Sequence, residues 1–176
     1  MSSSSKSLRA VLASAVVAGA LLSVGAGSAF GAYANWTPAG NVKEIGTLTL
    51  KLNGGSPVTC SFNGTGGTIV PVMIAQQTSQ PCSNGGTLSG RFHQIGQNNG
   101  GAYSVDMRSG GGGFVGPHGP FWAASVILPF NNGNVSTPST IVLNDAIIGA
   151  DVDGGWVTAT GTLTVTTPTG GLVTLN

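Results

Sequence analysis

The sequence predicts an all-β domain, a two-sheet sandwich or jelly roll of about eight or nine strands, standing behind a cleaved signal helix. Three observations lead there. No helical period survives past the first thirty or so residues. Short runs of β-branched and aromatic residues alternate apolar and polar with a period of two, the pattern of strands with one dry face. Gly, Pro and Asn then cut these runs at short intervals, where turns belong.

The first element is the signal segment, 1–34. Lys6 and Arg9 stand among serines, an apolar run extends from Ala10 to Val24, and small residues dominate from Gly25 to Ala34. A positive start, an apolar middle and a small-residue close are the parts of a secretory signal. Two cleavage points fit the small-x-small rule. Gly27-Ser28-Ala29 would release a chain starting at Phe30, and Ala32-Tyr33-Ala34 one starting at Asn35. The second is the full Ala-x-Ala match and is preferred. The apolar run falls short of the ~20 residues that span a bilayer, so no stable membrane span is expected after cleavage. Residues 35–176 then form one domain, secreted to the extracellular space or the cell surface.

Within that domain, Leu48, Leu50 and Leu52 alternate with Thr47, Thr49 and Lys51. Further strands are expected over 57–63, 66–74, 87–95, 102–108, 121–130 and 139–148. The clearest strand is near the C-terminus, where Val157, Ala159, Gly161, Leu163 and Val165 alternate with Thr158, Thr160, Thr162, Thr164 and Thr166. The runs Val126–Phe130 and Ile141–Leu143 are continuously apolar, which predicts burial on both faces or near it. Turns are expected at Asn53-Gly54-Gly55, Asn84-Gly85-Gly86, Asn98–Gly101, Asn131–Asn134 and Asp153-Gly154-Gly155. The stretch Ser109 to Gly119, with four consecutive glycines, reads as a mobile hairpin tip or contact loop.

Charge is scarce. Beyond the signal, Lys43, Lys51, Arg91 and Arg108 face Glu44, Asp106, Asp145, Asp151 and Asp153. No basic patch exists to hold a phosphate backbone, which argues against nucleic-acid binding. A surface this close to neutral favours association, so the expected partner is the chain itself.

Cys60 and Cys82 are the only cysteines. In an exported protein an even pair reads as a disulfide; two free buried thiols are the alternative. With no nearby His they make an incomplete metal set, and neither a metal nor a cofactor is expected. The enzymatic inventory is equally thin, and no catalytic residue is assigned. His93 sits on the opposite strand parity to Phe92 and reads as surface-facing. His118 lies in the glycine loop, a poor platform for precise geometry. Asp151 and Asp153 share one turn and lack the later ligands of a calcium loop. Of Trp36, Trp122 and Trp156, the last falls on the hydroxylated parity of its strand and is the one most exposed by pattern. Exposed rings of this kind are what carbohydrate-binding modules use, whereas a Trp in a small domain is more often buried.

Around the cysteines, Pro57-Val-Thr-Cys60-Ser-Phe-Asn-Gly-Thr65 is followed by Gln80-Pro-Cys82-Ser83. With a signal peptide and a Thr- and Gly-rich, low-charge β domain, this resembles the alkane oxidation protein activator (PraB-like) family of secreted bacterial proteins over Pro57 to Leu88. The resemblance implies a role on the cell surface or in biofilm matrix, and an accessory role toward long-chain alkanes. It brings no catalytic residues.

Two functions follow as expectations. The first is a self-associating subunit of an extracellular fibre or biofilm matrix that uses strand addition. The candidate donors are the N-terminal segment with Asn35, Trp36 and Thr37, and the tail with Leu172, Val173 and Leu175. Both segments folding back on their own domain is the equal alternative. The second function is a secreted binding factor for apolar small molecules such as alkanes.

Overall fold

A computed structural model describes residues 31–109, 114–151 and 153–176. Residues 1–30 of the expected signal segment and Gly110–Gly113 of the glycine loop lie outside the described residues. What is described is all β, in thirteen strands. The long ones are β3 (Gly40–Leu52), β4 (Val58–Ile69), β5 (Val72–Pro81), β6 (Thr87–Asn99), β7 (Ala102–Ser109), β10 (Val126–Asn131), β11 (Ser139–Asp151) and β12 (Trp156–Thr166). The short ones are β1 (Ala32–Tyr33), β2 (Trp36–Thr37), β8 (Phe114–Gly116), β9 (Gly119–Ala123) and β13 (Thr174–Leu175).

The architecture is a closed barrel, which corrects the expected two-sheet sandwich or jelly roll. Eight antiparallel strands follow one hydrogen-bonded path, β10-β7-β6-β5-β4-β3-β12-β11, and β10 then pairs with β11 through Phe130↔Ile141 and Asn131↔Thr140. Where β7 and β10 diverge, the hairpin β8-β9 fills the wall. It pairs with β6 at Ser89↔Val115 and with β11 at Ala150↔Trp122. Strand length is the physical reason. β3, β6 and β11 have 13 residues each, more than a typical strand of a sandwich needs. Such strands tilt and coil until the sheet meets itself.

The other differences share one cause, a single dry face. β3 reads exposed and buried by turns, with Leu48 and Leu50 inside. Of the runs expected to be buried on both faces or near it, Ile141–Leu143 holds a partly buried Val142 between two buried residues, but in β10 Leu128 and Phe130 point in while Ile127 stays half exposed. The strand expected over 57–63 runs on as β4 to Ile69, and the strand expected over 66–74 is split by the turn at Val70-Pro71 between the end of β4 and the start of β5. The glycines of β4 do not break it. A Cβ on Gly66 would overlap the carbonyl of Ile74 on β5, so this glycine permits a close approach of the two strands. The stretch 121–130 divides into β9 and β10. Part of the expected mobile loop is ordered as β8 and its turn at Pro117-His118.

One seam of the wall lacks a full ladder. β4 and β5 pair only from Gly64↔Gln77 to Ile69↔Val72. Below that, the Gln77 side chain takes the place of a strand: its Oε1 accepts from Asn63 N at 2.8 Å and its Nε2 reaches Ser61 O at 3.5 Å. The Cys60–Cys82 disulfide then closes the gap, helped by Ser83 N donating to Thr59 O at 2.8 Å. Both sulfurs are buried in the core. Because the cysteines are 22 residues apart, loop closure predicts that the Cys60→Ser, Cys82→Ser double variant loses about 3 kcal/mol of stability. Urea unfolding of the variant, or of the protein with and without reductant, checks this.

Candidate functional site

The two segments expected to act as strand donors meet in this chain. β2 pairs antiparallel with β13 through Trp36↔Leu175 and Thr37↔Thr174. Asn35 N donates to Asn176 O at 2.7 Å, and Asn176 N returns a bond to Asn35 O at 3.1 Å. This two-stranded sheet is separate from the barrel wall and plugs one end of it. Trp36, Val173 and Leu175 are fully buried there, while Thr37 stays exposed; Leu172 bridges back to Thr166. Trp36 stacks edge-on against Phe130, with centroids 5.2 Å apart, and donates its Nε1–H to Gln94 O at 3.2 Å.

The tail lies in its cleft as an added strand. On the side away from β2, the Asn132 side chain mimics a backbone: Nδ2 donates to Leu175 O and Oδ1 accepts from Leu175 N, both at 2.7 Å. Gly96 forms the floor, since a Cβ there would stand 2.5 Å from Leu175 Cδ2. The route into the cleft is a tight turn, Thr167–Gly171, with Gly170 at φ 85°.

Residues just before Asn35 belong to the same end. β1 pairs with β6 through Ala32↔Asn98 and Tyr33↔Gln97. Ala34 is fully buried and its N–H donates to Gly96 O at 3.0 Å. Cleavage after Ala34 would remove these contacts, whereas cleavage after Ala29 would leave them in the folded chain.

The barrel interior holds two layers. Near the end formed by the 53–55 and 153–155 turns, Leu48, Phe62, Phe92, Met107, Phe121 and Leu163 help line an apolar void of about 20 Å³. That is roughly one water-sized space, with no polar lining to hold a water. This void by itself is too small to hold an alkane.

The second layer is polar. Glu44 is fully buried, and Gln94 Nε2 donates to its Oε2 at 3.0 Å. Its in-register neighbours are Gly64 on β4 and Val165 on β12, and neither brings a charge. Burial therefore pushes the Glu44 carboxyl up to about 8, against a smaller opposing effect of the Gln94 bond. Glu44 Oε1 and Gln94 Oε1 are both buried without a partner. A protonated Glu44 resolves this, because a neutral acid and an amide can exchange two hydrogen bonds where a carboxylate and an amide exchange one. Neither residue was singled out as a site from the sequence. The signal was present: Glu44 shares strand parity with Leu48 and Leu50, and Gln94 shares it with Phe92.

On the outer wall, Asp106 accepts from Ser125 Oγ at 2.7 Å and pairs with Arg108. Burial raises its carboxyl, but the Arg108 and Ser125 bonds together outweigh that and hold it below the ordinary carboxylate range. The Ser125 hydroxyl donates its hydrogen bond to this carboxylate. His93 lies on the outward parity, opposite Arg108. Asp151 Oδ1 caps its own turn by accepting from Asp153 N at 3.1 Å and from Gly155 N. Among the described residues no cluster of three metal-ligating side chains occurs. Of the three tryptophans Trp36 is buried, and Trp122 and Trp156 are 58% and 55% exposed.

The Glu44 environment fixes a pH dependence. The folded carboxyl binds its proton more tightly than the unfolded one, whose ordinary value is 4.5. Stability is therefore full below about 4.5 and is lost as pH rises toward about 8. The loss is a few kcal/mol, on the order of 3–5. Glu44→Gln is expected to flatten the profile over that window and to unfold at higher urea than the parent at about pH 8. Urea titrations across pH on both proteins give the comparison, and parallel profiles would contradict the assignment.

No family model matches the chain, and neither a curated protein nor a solved structure is significantly similar to it.

Proposed function

We propose that this chain is an exported, non-catalytic structural protein whose copies associate by exchanging the C-terminal tail, as subunits of an extracellular fibre or matrix. One observation carries the reading. The tail 172–176 is seated as an added strand between β2 and the Asn132 amide, outside the hydrogen-bonded path of the barrel. Like β2, with which it pairs, it can leave without opening the wall. A second copy's tail would make the same bonds in the same cleft, the low-cost exchange that underlies domain swapping. The near-neutral composition favours association, and the Cys60–Cys82 disulfide suits an oxidising compartment.

Light scattering and electron microscopy of the purified protein test this. The parent is expected to form multimers that grow with concentration. A disulfide between Asn35→Cys and Asn176→Cys, which locks the tail in its own cleft, is expected to leave only monomers until reduced. A parent that stays monomeric, or a locked variant that still assembles, overturns the proposal. The position of β1 and Ala34 adds an expectation for processing: the secreted chain begins at Phe30, as N-terminal sequencing or intact mass would show. A start at Asn35 would mean that the mature barrel does without β1.

A further inference from the structure

At the end of the barrel opposite the tail cleft, three outward side chains stand in one line across three adjacent strands. Ala150 of β11 is in register with Trp156 of β12 on one side and with Trp122 of β9 on the other. Their neighbours along the chain, Phe121, Gly149 and Val157, are buried, which fixes the line on the outer face. Two strand spacings place the tryptophan backbones about 10 Å apart. The middle position carries only a methyl group, so the surface between the two indoles is an open trough.

The backbone that carries each ring is fixed. Trp156 N donates to Asn53 Oδ1 at 2.8 Å, and Trp156 O accepts from Asn53 N at 2.9 Å. β9 is drawn against β11 at Gly149, where any Cβ would overlap the Trp122 carbonyl. Two large rings more than half exposed forgo burial that the core could have offered, and here the fold holds them at a set spacing. Polar side chains border the line: Thr158 follows Trp156 on the same face, with Lys51 in register beside it.

We propose that Trp122, Ala150 and Trp156 form a binding site for a neutral, extended, β-linked glycan. The C–H faces of a pyranose carry slight positive charge and stack on the negative face of an indole. The separation of the two rings suits the two sugars of a disaccharide repeat, with the linkage passing over Ala150. Hydroxyls at the sugar edges then meet the Thr158 and Asn53 side of the trough. Around the line Asp145, Asp151 and Asp153 stand against the single Lys51, a net negative surround that repels a phosphorylated or uronic chain and favours a neutral one. The site lies away from the tail cleft, so it stands whether or not copies exchange tails.

Calorimetric titration of the purified exported chain with cellohexaose and xylohexaose tests this, with α-linked maltohexaose as control. The parent is expected to bind at least one β-linked hexamer and to bind maltohexaose more weakly. Trp122→Ala and Trp156→Ala should each weaken binding about ten-fold, the loss of one stacked ring. Ala150→Leu keeps both rings but fills the trough, and should weaken binding as well. All three positions are on the outer face, so melting curves should match the parent. Absence of binding by the parent overturns the proposal. So does undiminished binding by the double tryptophan variant, or ring-dependent adsorption to hydrocarbon droplets without oligosaccharide binding.

Discussion

Pairing on both sides of every long strand is the constraint on which this molecule depends. An isolated sheet of this composition would expose two edges with unpaired N–H and C=O groups. The barrel has none along its path, because β10 returns to β11 and the β8-β9 hairpin fills the wall where β7 and β10 part. At the β4-β5 seam the ladder covers only part of the strands' length. There a side-chain amide and a disulfide stand in for missing ladder bonds. The only oxidative chemistry in the described structure therefore sits where backbone pairing runs out.

Closure also decides what the interior can do. Eight strands enclose a space that side chains fill. One layer is apolar and nearly void-free, and the other holds Glu44 against Gln94. A buried acid with a single amide partner is tolerated because it can stay neutral. The interior is then a packed core with a titratable spot at Glu44. At one end the tail occupies a strand-shaped cleft. At the other, two indoles flank a methyl group on an outer wall that also exposes hydroxyls and the side chains of Ile127 and Ile147.

Much of this was legible in local pattern. Alternation identified β3 and β12, the Asn-Gly and Asp-Gly clusters fell at turns, and the cysteine pair formed the disulfide. The exposure of Trp156 followed from parity alone. Other features were present in the pattern but unread, such as Glu44 and Gln94 on the dry face. The two-face burial expected of Val126–Phe130 failed because a run of apolar residues does not reveal which of them face water. The break expected within β4 failed because glycine serves close strand approach as readily as it serves a turn.

The sequence by itself determined the class: strands rather than helices, in a nearly uncharged domain with one pair of cysteines. These depend on composition and on neighbours one or two residues apart, which a sequence displays directly. The tertiary structure alone decided that the sheet closes and that Trp36 meets Leu175 across almost the whole chain. It also placed Trp122 in line with Trp156. Each of these is a pairing of distant segments, set by strand length, twist and the need to satisfy both edges, and no local period encodes it.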